Sequence, residues 1–97
     1  MKAQILNRNW WIEETREKVL DATLDRLVRQ AGFNVLSTLE HEFSPYGYTK
    51  LWLLSESHLA LHTFPEENKA YIELSSCNME YFDAFVLGMD EAFKGVG

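Results

Sequence analysis

The chain has 97 residues, of which 15 are acidic and nine are basic, so its formal net charge is −6. That length predicts one domain over residues 1–97, and a hydrophobic fraction of 46% predicts a packed core rather than disorder. The acidic balance argues against binding to nucleic acid, and a single Cys excludes an intramolecular disulfide. Because we find neither a signal segment nor an apolar stretch of membrane-spanning length, we expect a small cytoplasmic protein with no membrane partner.

The first third of the chain predicts a short strand followed by one amphipathic helix. The strand is expected over residues 2–7. The helix is expected from Glu13 to Gln30, because apolar residues recur there at helical spacing. Gly32 then stands where a helix commonly ends on a glycine with positive φ. The apolar positions of this helix are Leu20, Leu24, Leu27, Val28 and Ala31.

Residues 33–76 predict four strands, and a second helix follows them. Apolar residues at odd positions from Phe33 to Phe43 indicate a strand with one apolar face. A turn at residues 44–47 leads to strands over 48–55, 58–64 and 70–76, with Pro65 ending the middle one. The second helix is expected over residues 79–93, with Asn78 as its N-cap and Gly95 beyond its end. Its apolar face consists of Phe82, Phe85, Val86, Met89 and Phe93.

This order of elements predicts an α+β fold, a two-layer sandwich in which two helices cover one face of an antiparallel sheet. The strand around Trp52 is apolar on both sides, because Leu51, Leu53 and Leu54 flank that residue. An uncovered apolar sheet face usually marks an association surface. We therefore predict a homodimer in which the two sheets pack together.

Several kinds of chemistry are disfavoured by the residues. His58 and His62 lie about 13 Å apart on a strand at ~3.3 Å per residue, too far to share a metal ion, so no metal site is expected. Neither a Gly-x-Ser-x-Gly motif nor a glycine-rich phosphate loop is present. The polar run from Ser55 to His58 between two apolar strands fits an ordinary hairpin turn. Similarly, His62 fits an interior histidine, and Cys77 fits a small buried hydrophobe.

A longer sequence pattern favours a functional role for the residues from Ser55 to His58, for His62 and for Cys77. The residues Gly47-Tyr48-Thr49, the segment 53–66 (LLSESHLALHTFPE) and Cys77 stand in fixed register. This pattern resembles that of the prokaryotic S-adenosylmethionine decarboxylase family, which carries Glu-Ser-His, a second His, Thr-Trp-Pro-Glu and a later Cys. Here His62 follows Ser57 by five positions, and Cys77 follows His62 by fifteen, as in the family. The similarity covers about residues 32–78.

The resemblance implies an inactive proenzyme that cuts itself between Glu56 and Ser57. The Ser57 hydroxyl attacks the Glu56 carbonyl, the peptide becomes an ester, and elimination splits the chain. A pyruvoyl group then replaces Ser57 as the cofactor. Its carbonyl serves as the electron sink for loss of CO₂, as pyridoxal phosphate does in other enzymes.

The resemblance also implies roles for five further side chains. His62 assists self-processing, and Thr49 supports the processing intermediate. Cys77 returns a proton to the substrate after decarboxylation. Glu66 binds the ribose hydroxyls of S-adenosylmethionine, and Phe43 stacks on its adenine. The implied enzyme is a homodimer whose product feeds polyamine synthesis.

Two alternatives stay open. Phe64 stands where the family has Trp, and residues 67–69 differ from the usual Tyr-Gly-Tyr. Relatives with the same processing motif decarboxylate arginine or ornithine, so a pyruvoyl-dependent arginine or ornithine decarboxylase is the second hypothesis. A non-catalytic paralogue that dimerises with a full-length partner is the third.

Overall fold

The computed structural model describes residues 4–94, which form a five-stranded sheet and two helices. Gly95 and the first part of the strand predicted at residues 2–7 lie outside the described residues. The elements in chain order are β1 (Leu6–Ile12), α1 (Glu17–Gln30), β2 (Val35–Glu42), β3 (Tyr48–Leu54), β4 (Ser57–Phe64), a 3₁₀ turn (Pro65–Glu67), β5 (Lys69–Ser76) and α2 (Met79–Ala92).

All neighbouring strands are antiparallel, and their order across the sheet is β1-β5-β4-β3-β2. Strands β2 to β5 therefore form a meander, while β1 joins its far edge beside β5. No helix between residues 4 and 94 is long and apolar enough to cross a membrane.

Both helices pack on one face of the sheet, as predicted. Side chains alternate along each strand, so every second residue is buried beneath the helices. Each fully buried large apolar side chain stabilises the fold by roughly 1.5–3 kcal/mol. The core includes Leu20, Leu24, Val28, Trp52, Leu59, Leu61, Ile72, Leu74, Phe85 and Met89. The α+β two-layer architecture is thus confirmed, and the two predicted apolar helix faces are the ones that pack.

Most boundaries agree with prediction. Those of β3, β4, β5 and α2 match to within one residue. Gly32 has a φ of 110°, and a Cβ at this position would lie 2.8 Å from the ring of Tyr81, so glycine is required there. The Asn78 side chain accepts a hydrogen bond from the backbone N–H of Tyr81 at 2.9 Å, so Asn78 is the N-cap of α2.

Helix α1 begins at Glu17, four residues later than predicted. The Glu14 carboxylate accepts hydrogen bonds from the backbone N–H groups of Thr15 and Arg16, and it pairs with the Arg16 guanidinium at 2.7 Å. Hydrogen bonds from Arg16 lower the pKa of Glu14 to about 2. A carboxylate that accepts from the N–H groups directly after it holds the backbone out of the helix.

The predicted first strand is present but lies later than expected, because β1 spans Leu6–Ile12 and shares only Leu6 and Asn7 with the described part of the range 2–7. Trp10 and Ile12 face the core, while Trp11 faces the other side. The position of β1 is set by its pairing with β5, in which Trp10 lies opposite Ile72. No local pattern around residue 10 reveals a partner so far along the chain.

The prediction of one apolar face from Phe33 to Phe43 was wrong. The register shifts between Val35 and Ser37, so an irregularity interrupts β2. Phe33 and Val35 face the helices, whereas Leu39 lies on the opposite side of the sheet, beside Leu51. Strand β2 ends at Glu42, so Phe43 lies just beyond it.

The sheet face away from the helices, here called the open face, carries large apolar side chains. Leu39, Leu51 and Leu53 are 70%, 41% and 54% exposed, and Trp11 lies on the same face at 49%. The uncovered apolar face expected from the sequence is therefore present. The predicted homodimer stays a prediction.

Candidate active site

Strands β3 and β4 are joined by a two-residue turn, Ser55–Glu56, because Leu54 pairs directly with Ser57. Glu56 has a φ of 59°, the left-handed region that favours glycine. A side chain in this conformation costs of the order of 1 kcal/mol or more. The run from Ser55 to His58 thus does form a tight hairpin turn, and its backbone is strained at Glu56.

Ser57 follows the strained residue and is itself buried, with 8% of its surface exposed. It lies on the helix-covered face of β4, opposite Ser76 of β5. Its hydroxyl donates a hydrogen bond to Oγ of Ser76 at 3.0 Å. The hydroxyl is therefore held in a defined position next to the Glu56–Ser57 peptide bond.

Cys77 lies beside the same bond from the end of β5. Its Sγ is 3.3 Å from the carbonyl oxygen of Glu56 and 3.6 Å from Oε2 of the same residue. The side chain is exposed rather than buried, so the interpretation of Cys77 as a small core residue was wrong. Glu56, Ser57, Ser76 and Cys77 form one cluster, here called the turn end.

His62 and Thr49 form a second group, on the open face. They lie opposite each other in the β3–β4 pairing, and Oγ1 of Thr49 is 2.9 Å from Nδ1 of His62. The interpretation of His62 as an interior histidine was wrong, because its side chain is only half-buried. Among residues 4–94 no hydrogen bond involves its Nε2, so that nitrogen is available to another group.

A row of rings continues from His62 toward the edge of the sheet. The His62 ring stacks on Tyr71 with centroids 6.2 Å apart, and Trp11 follows at 4.9 Å from Tyr71. The Tyr71 hydroxyl donates to Glu73 at 2.9 Å, and this hydrogen bond raises the pKa of Tyr71. Together with the hydrogen bond between Thr49 and His62, the stack limits rotation of the imidazole.

A cavity of about 360 Å³ opens beside Thr49 and His62. Phe43 is 51% exposed and Tyr46 56%, so both rings are available to a ligand. Glu66 stands on the 3₁₀ turn after β4 and supplies the one carboxylate of the lining. The lining residues are Phe43, Tyr46, Gly47, Thr49, His62, Thr63, Phe64 and Glu66. This lining with the Thr49–His62 pair is here called the cavity end.

The turn end and the cavity end do not meet within one chain. Ser57 and His62 are five residues apart on β4, which is about 17 Å at ~3.3 Å per residue. They also occupy opposite faces, because Ser57 is on the buried side and His62 on the open side. The seven predicted site residues thus fall into two groups, one holding Glu56, Ser57 and Cys77 and the other Thr49, His62, Phe43 and Glu66.

Acidic side chains gather between α1 and β2, next to the cavity end. Partial burial, with repulsion from Glu42 and Glu40, raises the pKa of Glu17. Burial and the hydrogen bond to Glu40 raise the pKa of the Tyr48 hydroxyl. Among residues 4–94, no three His, Cys, Asp or Glu side chains converge as metal ligands would.

Two residues at these sites were not predicted from the sequence. Ser76 is 1% exposed and carries the hydrogen bond to Ser57, yet serine is too common in strands to attract notice. Its one available signal was its place directly before Cys77. Tyr46 lines the cavity from the turn after β2, where it was counted only as a turn residue.

Comparison with known proteins identifies relatives of this chain. A model of the S-adenosylmethionine decarboxylase family matches residues 13–95. The chain is 53% identical over 47 residues to S-adenosylmethionine decarboxylase proenzyme 2 of Bacillus cereus, a match that covers 48% of this chain and 38% of that protein. It is 39% identical over 85 residues to the S-adenosylmethionine decarboxylase proenzyme of Persephonella marina, which covers 88% of this chain and 53% of that one.

The crystal structure of adenosylmethionine decarboxylase from Aquifex aeolicus has the same fold, with a TM-score of 0.71 and 20% sequence identity over all of this chain and 88% of that one. The chain spans about half the length of the curated relatives that it matches. Because the family model covers most of the sequence, including both site clusters, the chain belongs to the S-adenosylmethionine decarboxylase family.

Proposed function

We propose that the chain is a self-processing, pyruvoyl-dependent decarboxylase of S-adenosylmethionine, cut between Glu56 and Ser57. The main support for this proposal is the arrangement of residues at the turn end. A strained residue, a held serine hydroxyl and a thiol meet there at one peptide bond. Positive φ is common in two-residue hairpin turns, but an ordinary turn needs neither the held serine hydroxyl nor the thiol.

The turn end suits the first steps of self-cleavage. Oγ of Ser57 attacks the carbonyl carbon of Glu56, the C–N bond breaks, and the hydroxyl proton ends on the freed nitrogen. Strain at Glu56 favours this step because it is released when the peptide bond is lost. The thiol of Cys77 donates to the Glu56 carbonyl oxygen, on which negative charge develops during the attack. Loss of the Ser57 α-proton then eliminates Glu56 as a carboxylate, which divides the chain and leaves dehydroalanine at position 57. Water hydrolyses this group to the pyruvoyl carbonyl and releases the nitrogen as ammonia.

The residues present fit a pyruvoyl group at position 57. The precursor serine is in place, and the exposed thiol of Cys77 lies beside it, where it could deliver a proton to a bound substrate. The group itself supplies a carbonyl that withdraws electrons as CO₂ leaves the substrate.

The separation of the two ends supports a homodimer that completes the site. In this dimer the open faces of two copies pack against each other, related by a two-fold axis that lies between the faces, perpendicular to the strands. This symmetry places the turn end of one copy over the cavity end of the other. In this arrangement Thr49 and His62 of the second copy approach the Glu56–Ser57 peptide bond from the open side of the sheet, while the Ser57 side chain stays on the helix-covered side. Leu51 and Leu53 supply apolar area for this contact. An imidazole is suited to move protons near neutral pH, which processing requires.

The cavity end supports a nucleoside substrate. Phe43 and Tyr46 present exposed rings that can stack on a purine, and Glu66 provides an acceptor for ribose hydroxyls. Arginine and ornithine remain the alternative substrates, since a carboxylate can also bind a cationic side chain. Release of labelled CO₂ from S-adenosylmethionine, arginine and ornithine, compared side by side, decides between them.

Intact-mass analysis of freshly made protein tests the proposal. We expect two fragments that divide between Glu56 and Ser57, with the second carrying a pyruvoyl end. Ser57→Ala should remain whole, because it lacks the attacking oxygen, while Ser55→Ala in the same turn should still be cut. A natural chain that stays whole under native conditions would exclude the proposed function and leave the non-catalytic paralogue.

A further inference from the structure

Ser76 is the last residue of β5 and lies directly opposite Ser57 in the sheet. Both side chains face the helices and are excluded from water, Ser76 almost completely at 1% exposed. A buried hydroxyl must find hydrogen-bond partners within the protein. The partners of Ser76 therefore show what this position does.

A serine hydroxyl can donate one hydrogen bond and accept two. Oγ of Ser76 accepts from Oγ of Ser57 at 3.0 Å and from the backbone N–H of Asn78 at 3.0 Å. It also lies 3.4 Å from the carbonyl oxygen of Asn78, to which it donates. Every hydrogen-bonding capacity of this oxygen is thus used, so it cannot turn to another partner.

The acceptor is fixed to the body of the protein rather than to the turn. Asn78, which holds the Ser76 hydroxyl, is the N-cap of α2, and α2 packs on the core through Phe85 and Met89. Ser57 is therefore held by a group whose position does not depend on the strained Ser55–Glu56 turn.

We propose that Ser76 is a positioning residue for self-processing, one that holds the Ser57 hydroxyl for attack on Glu56. This inference rests on the proposed function. The hydrogen of the Ser57 hydroxyl is directed to Ser76, and among residues 4–94 no donor occupies the lone pairs of Ser57 Oγ. Those lone pairs are the electrons that form the new C–O bond. Ser76 itself gains and loses no atom in the overall step.

The test compares self-cleavage rates of freshly translated precursors. Ser76→Ala should slow cleavage roughly tenfold or more, the factor expected for loss of one buried hydrogen bond to the reacting group. Ser76→Thr keeps the hydroxyl and should cleave within a few-fold of the natural rate. Thr38→Ala is the control, because Thr38 is an exposed side chain of the edge strand β2, separated from β5 by two other strands, and should change nothing.

Ser76→Val provides a second comparison that separates the hydroxyl from packing, because Val and Thr have the same shape. Val should be slow and Thr fast, while the two precursors have similar melting temperatures. Hydroxylamine, which cuts an accumulated ester at Glu56, identifies the step. The slow variants should yield no more of this cut than the natural chain, since the attack itself is impaired.

Two outcomes would overturn the inference while leaving the proposed function intact. One is cleavage of Ser76→Ala at the natural rate, and the other is accumulation of the ester in that variant, which would place the effect after the attack. A natural chain that is never cut would overturn the proposed function and this inference with it. The result for Ser57→Ala and the natural chain therefore distinguishes the two failures.

Discussion

The two ends of β4 differ in how many of the proposed catalytic groups one chain brings together. At the turn end, Ser57 is buried and bonded to Ser76, and Cys77 already contacts the Glu56 carbonyl. At the cavity end, His62 is half-buried on the open face, and among residues 4–94 its Nε2 makes no hydrogen bond. The groups proposed to make and break the bond are assembled in the monomer. His62, the group proposed to move protons, is held by its neighbours Thr49 and Tyr71. In the proposed function it acts on the turn end of a second copy.

The largest expected effect comes from mixing two inactive variants. His62→Ala should cleave very slowly, and Ser57→Ala should not cleave at all. When the two are co-expressed with different tags, the His62→Ala chain should be cut again, because a mixed dimer pairs its intact turn end with an intact cavity end. Gel analysis of each tagged chain measures the result.

The control for this mixing experiment is the double variant Ser57→Ala/His62→Ala as the partner, which should restore nothing. If the His62→Ala chain stays uncut although the two tags co-purify, the cavity end does not act across a dimer. Rapid cleavage of His62→Ala alone would remove His62 from processing.

A smaller effect should separate two functions within the turn end. Cys77→Ala should still undergo self-cleavage, though more slowly, because the serine and the strain at Glu56 remain. Its turnover of S-adenosylmethionine should fall by a factor of 100 or so, the usual scale for losing a general acid. Cleavage on gels and CO₂ release by the cut protein measure the two separately. Normal turnover would show that Cys77 has no part in proton return.

The smallest effect concerns stability beside the cavity end. The raised pKa of Glu17 means that the folded chain binds this proton more tightly than the unfolded chain. The contribution of Glu17 to stability is therefore fully present below pH 4.5 and is lost as the pH rises through the raised value. Glu17→Gln should raise the melting temperature at pH 7 by about 2 °C, the effect of a few tenths of a kcal/mol in a domain this size.

The same Glu17→Gln substitution should have no effect at pH 3.5, where the natural carboxyl is also neutral. Glu13→Gln, at an exposed position nearby, is the control and should change neither melting temperature. Equal melting temperatures for Glu17→Gln and the natural chain at pH 7 would contradict the repulsion from Glu42 and Glu40.

Most of the architecture could be predicted because its signals are local. Helical spacing at Leu20 and Leu24, and Pro65 after β4, are visible within a few residues of the sequence. The predictions that were inaccurate concern features set by strands far away in the sequence. The location of β1 follows from pairing with β5, and the exchange of faces in β2 follows from a register shift against β3. Neither leaves a mark in the neighbouring residues.

The sequence yields the candidate site as a list of residues but not as an arrangement in space. The resemblance assigned roles to Ser57 and His62 without placing them in space, and β4 separates them along its length and across its faces. Ser76 escaped notice because its importance comes from one hydrogen bond, which only the β4–β5 register creates. Residue type and spacing carry no information about such a contact.

The strand order has a consequence for the proposed cleavage between Glu56 and Ser57. Residues 1–56 contain β1, β2 and β3, while residues 57–97 contain β4 and β5, which lie between β1 and β3 in the sheet. The later fragment is therefore flanked on both sides by the earlier one, through the β1–β5 and β3–β4 ladders. The fragments can separate only if both ladders break and the core beneath them opens to water. Cleavage would thus free two chain ends beside Cys77 while the interleaved fragments stay together as one folded body.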